Sequence, residues 1–221
     1  QHDPAMHMQH QAQAAKPASP HTFSPNVGVV SDYLFRGVSQ THGKAALQGG
    51  LDYSHSSGLY AGVWASTITW VKDAYGSGST EIDYYGGYRF AIGDFNFGVG
   101  GTWYTYTDDF DDDYKEVNLS AGWSFLTFDA AVGTYDNFGE PSQDYEYYSL
   151  TAAYNGFYGR VATFENEFDG SYYEAGYGNT LTVQDTELFD YALAVIYSDS
   201  TLLGGDSDTN LVFTVKKVFD F

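Results

Sequence analysis

Cysteine is absent from the 221 residues, which excludes disulfides, thiolate metal sites and thiol catalysis together. Basic residues are scarce: Lys and Arg total 9 against 29 Asp and Glu, a formal net charge of −20. With a pI of about 4.2, the charge argues against a nucleic-acid partner. Proline numbers only 5. No run of about 18 apolar residues occurs, so no transmembrane helix is encoded, and the mean hydropathy is −0.34. Neither observation touches a membrane β-barrel, whose lipid-facing and lumen-facing residues alternate and average out. A cysteine-free chain also suits an oxidising periplasm.

What the sequence has in quantity is aromatic residues, at 19%, with 21 Tyr, 16 Phe and 25 Gly. The stretch from Leu211 to Phe221 shows how they are arranged. Leu211, Phe213, Val215, Phe219 and Phe221 share one parity; Val212, Thr214, Lys216 and Val218 share the other. A period of two means an extended strand with two unlike faces. Lys217 interrupts the apolar parity, but near a strand end its ammonium can reach the interface. An ending on Phe with this parity is similar to the terminal strand of bacterial outer-membrane barrels.

Alternating segments of this kind predict strands near 26–36, 45–55, 58–70, 80–91, 94–106, 114–124, 126–137, 145–154, 157–166, 172–183, 188–198 and 209–221. Short connections such as Asn155-Gly156, the strongest hairpin signal available, alternate with longer ones near 37–44, 71–79, 107–113, 138–144, 167–171 and 199–208. The fold expected is all-β: a transmembrane, antiparallel, up-and-down β-barrel of about twelve strands, with short periplasmic turns and longer extracellular loops. A soluble β-sandwich has no reason to alternate its connections so regularly.

Residues 1–25 differ from the rest. They are rich in Gln, Ala, His and Pro without periodicity, and are expected to form a flexible tail ahead of a barrel domain at 26–221. No signal-peptide pattern opens the chain, and Gln1 is expected to be either the start of a processed protein or an artificial start point. Within the tail, His2, Met6, His7, Met8 and His10 crowd into ten residues. Thioethers and imidazoles together suit copper, and copper(I) especially. The tail is therefore a candidate copper site, with a His-rich but inert segment as the alternative. No other cofactor is expected.

The opening of the expected barrel domain carries a family resemblance. Ser31-Asp32-Tyr33, Phe35-Arg36-Gly37 and Ser39-Gln40-Thr41 are followed by Leu47-Gln48-Gly49-Gly50-Leu51-Asp52-Tyr53 and Gly58-Leu59-Tyr60-Ala61-Gly62. This run over 26–67 resembles the TorF family of porins from Gram-negative outer membranes. The resemblance implies an outer-membrane barrel with a channel role and no catalytic residues.

Parity also assigns faces. Ile82, Tyr84, Tyr88, Phe90, Phe95, Phe97, Val99, Trp103, Val117, Leu119, Trp123, Tyr191, Leu193, Val195 and Tyr197 are expected to face lipid. The opposite parity places Asp32, Arg36, Asp52, Asp83, Arg89, Asp129, Arg160 and Glu174 in the lumen, with Gln48, Asn96, Glu116, Asn118 and Asp190. The only arginines are Arg36, Arg89 and Arg160. A guanidinium in a narrow lumen needs carboxylate partners. The set is either a charge-paired strut across a nearly filled lumen or a constriction whose field selects solutes. The surplus of acids favours cations if the barrel conducts. No histidine lies mid-strand, since His55 falls at a short turn and the others in the tail or a loop, so a positioned catalytic base is missing and no enzyme is expected. The expected role is passive diffusion of small hydrophilic solutes or ions through a monomer, with lipid and lipopolysaccharide as surroundings. The alternative is a non-conducting binding or structural barrel.

Overall fold

A computed structural model describes residues 19–69, 78–219 and 221. Residues 1–18, which include His2, Met6, His7, Met8 and His10, lie outside the described residues. Twelve strands close into one antiparallel barrel: β1 (His21–Val30), β4 (Ala46–His55), β5 (Leu59–Thr69), β6 (Gly78–Ile92), β7 (Phe95–Tyr106), β8 (Tyr114–Trp123), β9 (Leu126–Tyr135), β10 (Gln143–Tyr154), β11 (Phe157–Asn166), β12 (Gly170–Val183), β13 (Thr186–Ser198) and β14 (Asp208–Val218). Every strand pairs with its sequence neighbour in the barrel, and β1 closes the ring against β14, with Asn26 opposite Val218 and Val30 opposite Thr214. Past β14 the pairing continues: Phe221 N–H donates to Phe23 C=O at 3.0 Å.

Two-residue turns at Gly93-Asp94, Ser124-Phe125, Asn155-Gly156 and Gln184-Asp185, with the three-residue Ser56–Gly58, all lie at one rim. Asn155 and Gly156 have φ of 51° and 82°, and Gln184 and Asp185 have 49° and 62°. Such paired positive φ values mark the mirror-image turns whose twist matches that of a hairpin. The longer connections gather at the opposite rim, where the four-residue helix α1 (Ser200–Leu203) is capped by the Asp199 carboxylate, which accepts from Leu202 N–H at 2.8 Å.

The apolar parity faces outward. Leu47, Val117, Val132 and Leu211 are each more than half exposed, at 57%, 57%, 54% and 66%. A continuous belt of exposed aliphatic side chains on a closed barrel is the surface that acyl chains cover. Tyr84, Tyr88, Phe90, Phe95, Val99, Trp103, Leu119, Trp123, Leu193, Val195 and Tyr197 stand on it, with Ile82, Phe97 and Tyr191 half-buried among them. Near the turn rim, Phe90, Phe97, Phe95 and Trp123 stack in succession at 5.4, 6.3 and 6.2 Å between ring centroids.

The expected first strand, 26–36, requires correction. β1 starts at His21, inside the segment expected to be tail, and stops at Val30. Asp32 ends it. The Asp32 carboxylate accepts from Ser39 Oγ at 2.6 Å and Thr41 Oγ1 at 2.8 Å, and Thr41 Oγ1 accepts from Tyr33 N–H at 2.9 Å. These local bonds divert the backbone from the barrel ladder. The connection thus runs from 31 to 45 instead of 37 to 44, and contains its own hairpin of β2 (Leu34–Phe35) and β3 (Val38–Ser39). Arg36 and Gly37 form its tip, with φ of 47° and 87°.

This hairpin turns inward and organises the interior. Tyr33 packs edge-on against Trp64 of β5 at 5.5 Å, and its hydroxyl donates to Glu81 of β6 at 2.6 Å. Phe35 meets Tyr104 of β7 at 5.4 Å. Gly37 sits between Tyr172 of β12 and Ser198 of β13, whose hydroxyl donates to Gly37 C=O at 2.6 Å. A Cβ at position 37 would lie 2.8 Å from Tyr172 Cβ and 2.9 Å from Ser198 Oγ. Gly37→Val is therefore expected to cost about 2–4 kcal/mol through left-handed strain and overpacking. It should read out as faster hydrogen exchange over 31–45, with the barrel strands unaffected.

Candidate functional site: the occupied lumen

Arg36 leaves the hairpin tip with a side chain 1% exposed and reaches Glu116 of β8, whose side chain is 0% exposed. Nη1 donates to Oε1 at 2.6 Å and Nη2 to Oε2 at 2.9 Å, a two-pronged pair. The carboxylate is also held by the wall. Tyr145 Oη donates to Oε1 at 2.8 Å, while Asn118 Nδ2 and Tyr104 Oη donate to Oε2 at 2.8 and 3.1 Å. Five donors thus converge on one buried carboxylate, which is what keeps a charge tolerable in that setting. The guanidinium carbon lies 4.1 Å from the ring centre of Tyr147 on β10 and 5.8 Å from that of Phe164 on β11. Tyr145 can reach Glu116 because the opposite residue on β9 is Gly133, where a Cβ would lie 2.4 Å from the Tyr145 ring.

Toward the turn rim the lumen opens into a cavity of about 360 Å³. Asp83, Arg89, Asp129, Arg160, Glu174 and Lys216 are among its lining. Arg160 and Glu174 face each other across β11 and β12 and are joined at 3.1 Å, with Thr151 Oγ1 accepting from Arg160 Nε at 3.1 Å. Tyr158 donates to the same carboxylate at 2.5 Å. Arg89 lies over the Tyr60 ring at 4.1 Å. Asp52 accepts from Tyr85 at 2.5 Å and from Asn26 at 3.2 Å. At the loop rim, Asp111 accepts from Tyr135 at 2.8 Å and Tyr114 at 3.3 Å. Burial pushes the Asp111 carboxyl above its ordinary value despite those bonds.

The residues expected in the lumen therefore fall into two groups. Arg89, Asp52, Asp129, Arg160 and Glu174 project from strands beneath the hairpin, while Asp83 projects from β6 at the level of Trp64 and Tyr104, beside the hairpin. Asp32 and Arg36 reach the interior from the folded-in loop instead of from a strand. Among the carboxylates expected as arginine partners, Glu174 meets Arg160; Arg36 takes Glu116. Two lumen groups were not singled out as site residues: Glu81, two residues before Asp83 on the same parity and 1% exposed, and Lys216. The parity that placed Asp83 inside also points to Glu81.

Fold and interior together define a membrane-spanning β-barrel whose first loop occupies the loop-side half of its bore. Residues 14–164 match the Gcw_chp family, described as a bacterial protein of unknown function, and the chain belongs to that family. No curated protein matches the sequence. Among solved structures, a chain from a study of the in-meso crystallization of membrane proteins shares the fold with a TM-score of 0.53 at 9% identity, over 90% of this chain and 84% of that one. OccK1 (OpdK) of Pseudomonas aeruginosa, an outer membrane protein, aligns with a TM-score of 0.42 at 12% identity, over 80% of this chain. OccAB2 of Acinetobacter baumannii gives 0.43 at 11% identity, again over 80%. The chain spans 57% of OccK1 and 55% of OccAB2.

Proposed function

We propose that this protein is a monomeric, non-catalytic outer-membrane channel of TorF-like type for small hydrophilic solutes or ions, constricted by segment 31–45. The observation that carries the reading is the charged cavity of about 360 Å³ inside a closed barrel, continuing beneath the hairpin. Ionisable side chains around an unfilled interior can keep their hydration, which suits a water-containing path better than a sealed core. Among the described residues, the lumen carries Asp32, Asp52, Glu81, Asp83, Glu116, Asp129 and Glu174 against Arg36, Arg89, Arg160 and Lys216. This balance favours cations.

Purified protein in a planar bilayer should give small, defined current steps with a reversal potential on the cation side. Asp83→Asn combined with Asp129→Asn should move the reversal potential toward zero while the steps persist. Silence from both the native protein and a variant lacking the hairpin would end the channel reading and favour a non-conducting barrel.

A further inference from the structure

We propose that the barrel wall contains a receptor site for guanidinium-bearing solutes, occupied in this structure by the protein's own Arg36. The site itself stands on the wall geometry; its use in transport rests on the channel reading above.

Glu116, Tyr104, Asn118, Tyr145, Tyr147 and Phe164 build it, from strands β7, β8, β10 and β11. Three neutral wall groups fix the Glu116 carboxylate with no help from the hairpin, at 2.8 to 3.1 Å. Its two oxygens thereby keep the orientation in which a planar fork donates to both at once. Tyr147 offers its ring face at 4.1 Å, the position from which an aromatic stabilises a delocalised cation. With Arg36 withdrawn, this wall would hold a desolvated carboxylate beside an aromatic face, an arrangement that demands a cation. A guanidinium satisfies both oxygens and the ring. A primary ammonium is a point charge that satisfies neither geometry fully.

The occupant is tethered, which makes it a built-in competitor. A residue tethered by a short connection presents itself at an effective concentration on the order of millimolar. Free solute must displace it, so the native barrel would respond to guanidinium compounds only weakly. The hairpin that delivers it has two pairs, Leu34 with Ser39 and Phe35 with Val38, and neither belongs to the barrel ladder. Its withdrawal therefore breaks no barrel pairing.

The test uses the full chain in detergent, with methylguanidinium chloride as probe and methylammonium chloride at equal concentration as control. Arg36→Ala should melt below the native protein. Methylguanidinium at about 10 mM should raise its midpoint by roughly 3–5 °C, while methylammonium should leave it in place. Arg36→Ala with Glu116→Gln should respond to neither. Should Arg36→Ala refold poorly, methylguanidinium should restore the refolding yield and methylammonium should not. Equal responses to the two salts, no response, or an undiminished response in the double variant would overturn the site. Bilayer recording separates the two readings. Rescue, with silence from both the native protein and the variant lacking the hairpin, would leave the site and end the channel; current steps without rescue would do the reverse.

Discussion

Replacing residues 33–40 with a short glycine–serine linker is expected to raise unitary conductance roughly tenfold, because a twelve-stranded barrel otherwise has an interior wider than side chains alone fill. The hairpin reaches the wall on nearly every side. Tyr33 touches β5 and β6, Phe35 touches β7, Arg36 meets β8, β10 and β11, and Gly37 lies against β12 and β13. A segment in contact with walls on opposite sides of a closed ring occupies the cross-section between them. The buried cluster of the molecule forms around it: Val30, Tyr33, Trp64, Ile68, Tyr145, Tyr147, Phe164 and Tyr172, with Leu34 and Phe35 packed against them. Taking out Tyr33, Phe35 and Arg36 leaves inward-facing tyrosines that cannot close the gap from the wall. The barrel should survive the change, because each strand keeps both neighbours. The check is single-channel recording of the native and shortened proteins in the same salt, with circular dichroism showing unchanged strand content. Equal conductance would mean that the hairpin does not set the constriction.

The barrel was legible in the sequence because its signal is local. Alternation with period two persists over each strand, and the expected strand 157–166 coincides with β11. Asn155-Gly156 announced its turn by residue type alone. The hairpin was not legible, for three physical reasons. Val27, Val29, Tyr33 and Phe35 keep one parity across the break after Val30, because the backbone of β2 is extended too. Its tip is Arg36-Gly37, and arginine is not a residue whose presence signals a left-handed φ. Finally, what draws the loop inward is Glu116, 80 residues further along the chain. No window on the sequence holds both partners. Parity placed Arg36 in the lumen, which is where it lies, through an element that is not a strand.

Glu116→Ala follows from that long-range pair and has the second large effect. Arg36 would keep its buried position only by leaving a guanidinium without its carboxylate, at a cost of about 3–5 kcal/mol. Tyr104, Tyr145 and Asn118 would lose their acceptor as well. The barrel ladder does not depend on this pair, so the cost falls on seating the hairpin. The hairpin should therefore leave the lumen. Trypsin then offers a direct readout, because the bond after Arg36 is enclosed in the native protein, where the residue is 4% exposed. Glu116→Ala should be cut there rapidly and should conduct more than the native protein. Glu116→Gln keeps one acceptor oxygen for the guanidinium and should fall between the two. Pairing Glu116→Leu with Arg36→Met should return low conductance, since an apolar pair of similar volume can replace a buried ion pair; conductance is the readout here, because the substitution at 36 removes the trypsin site. Native-like resistance and conductance in Glu116→Ala would show that the hairpin is held by its aromatic contacts and not by this charge. Separation of the two readouts, with cutting at Arg36 but unchanged current, would place the constriction deeper, at the level of Arg160 and Glu174.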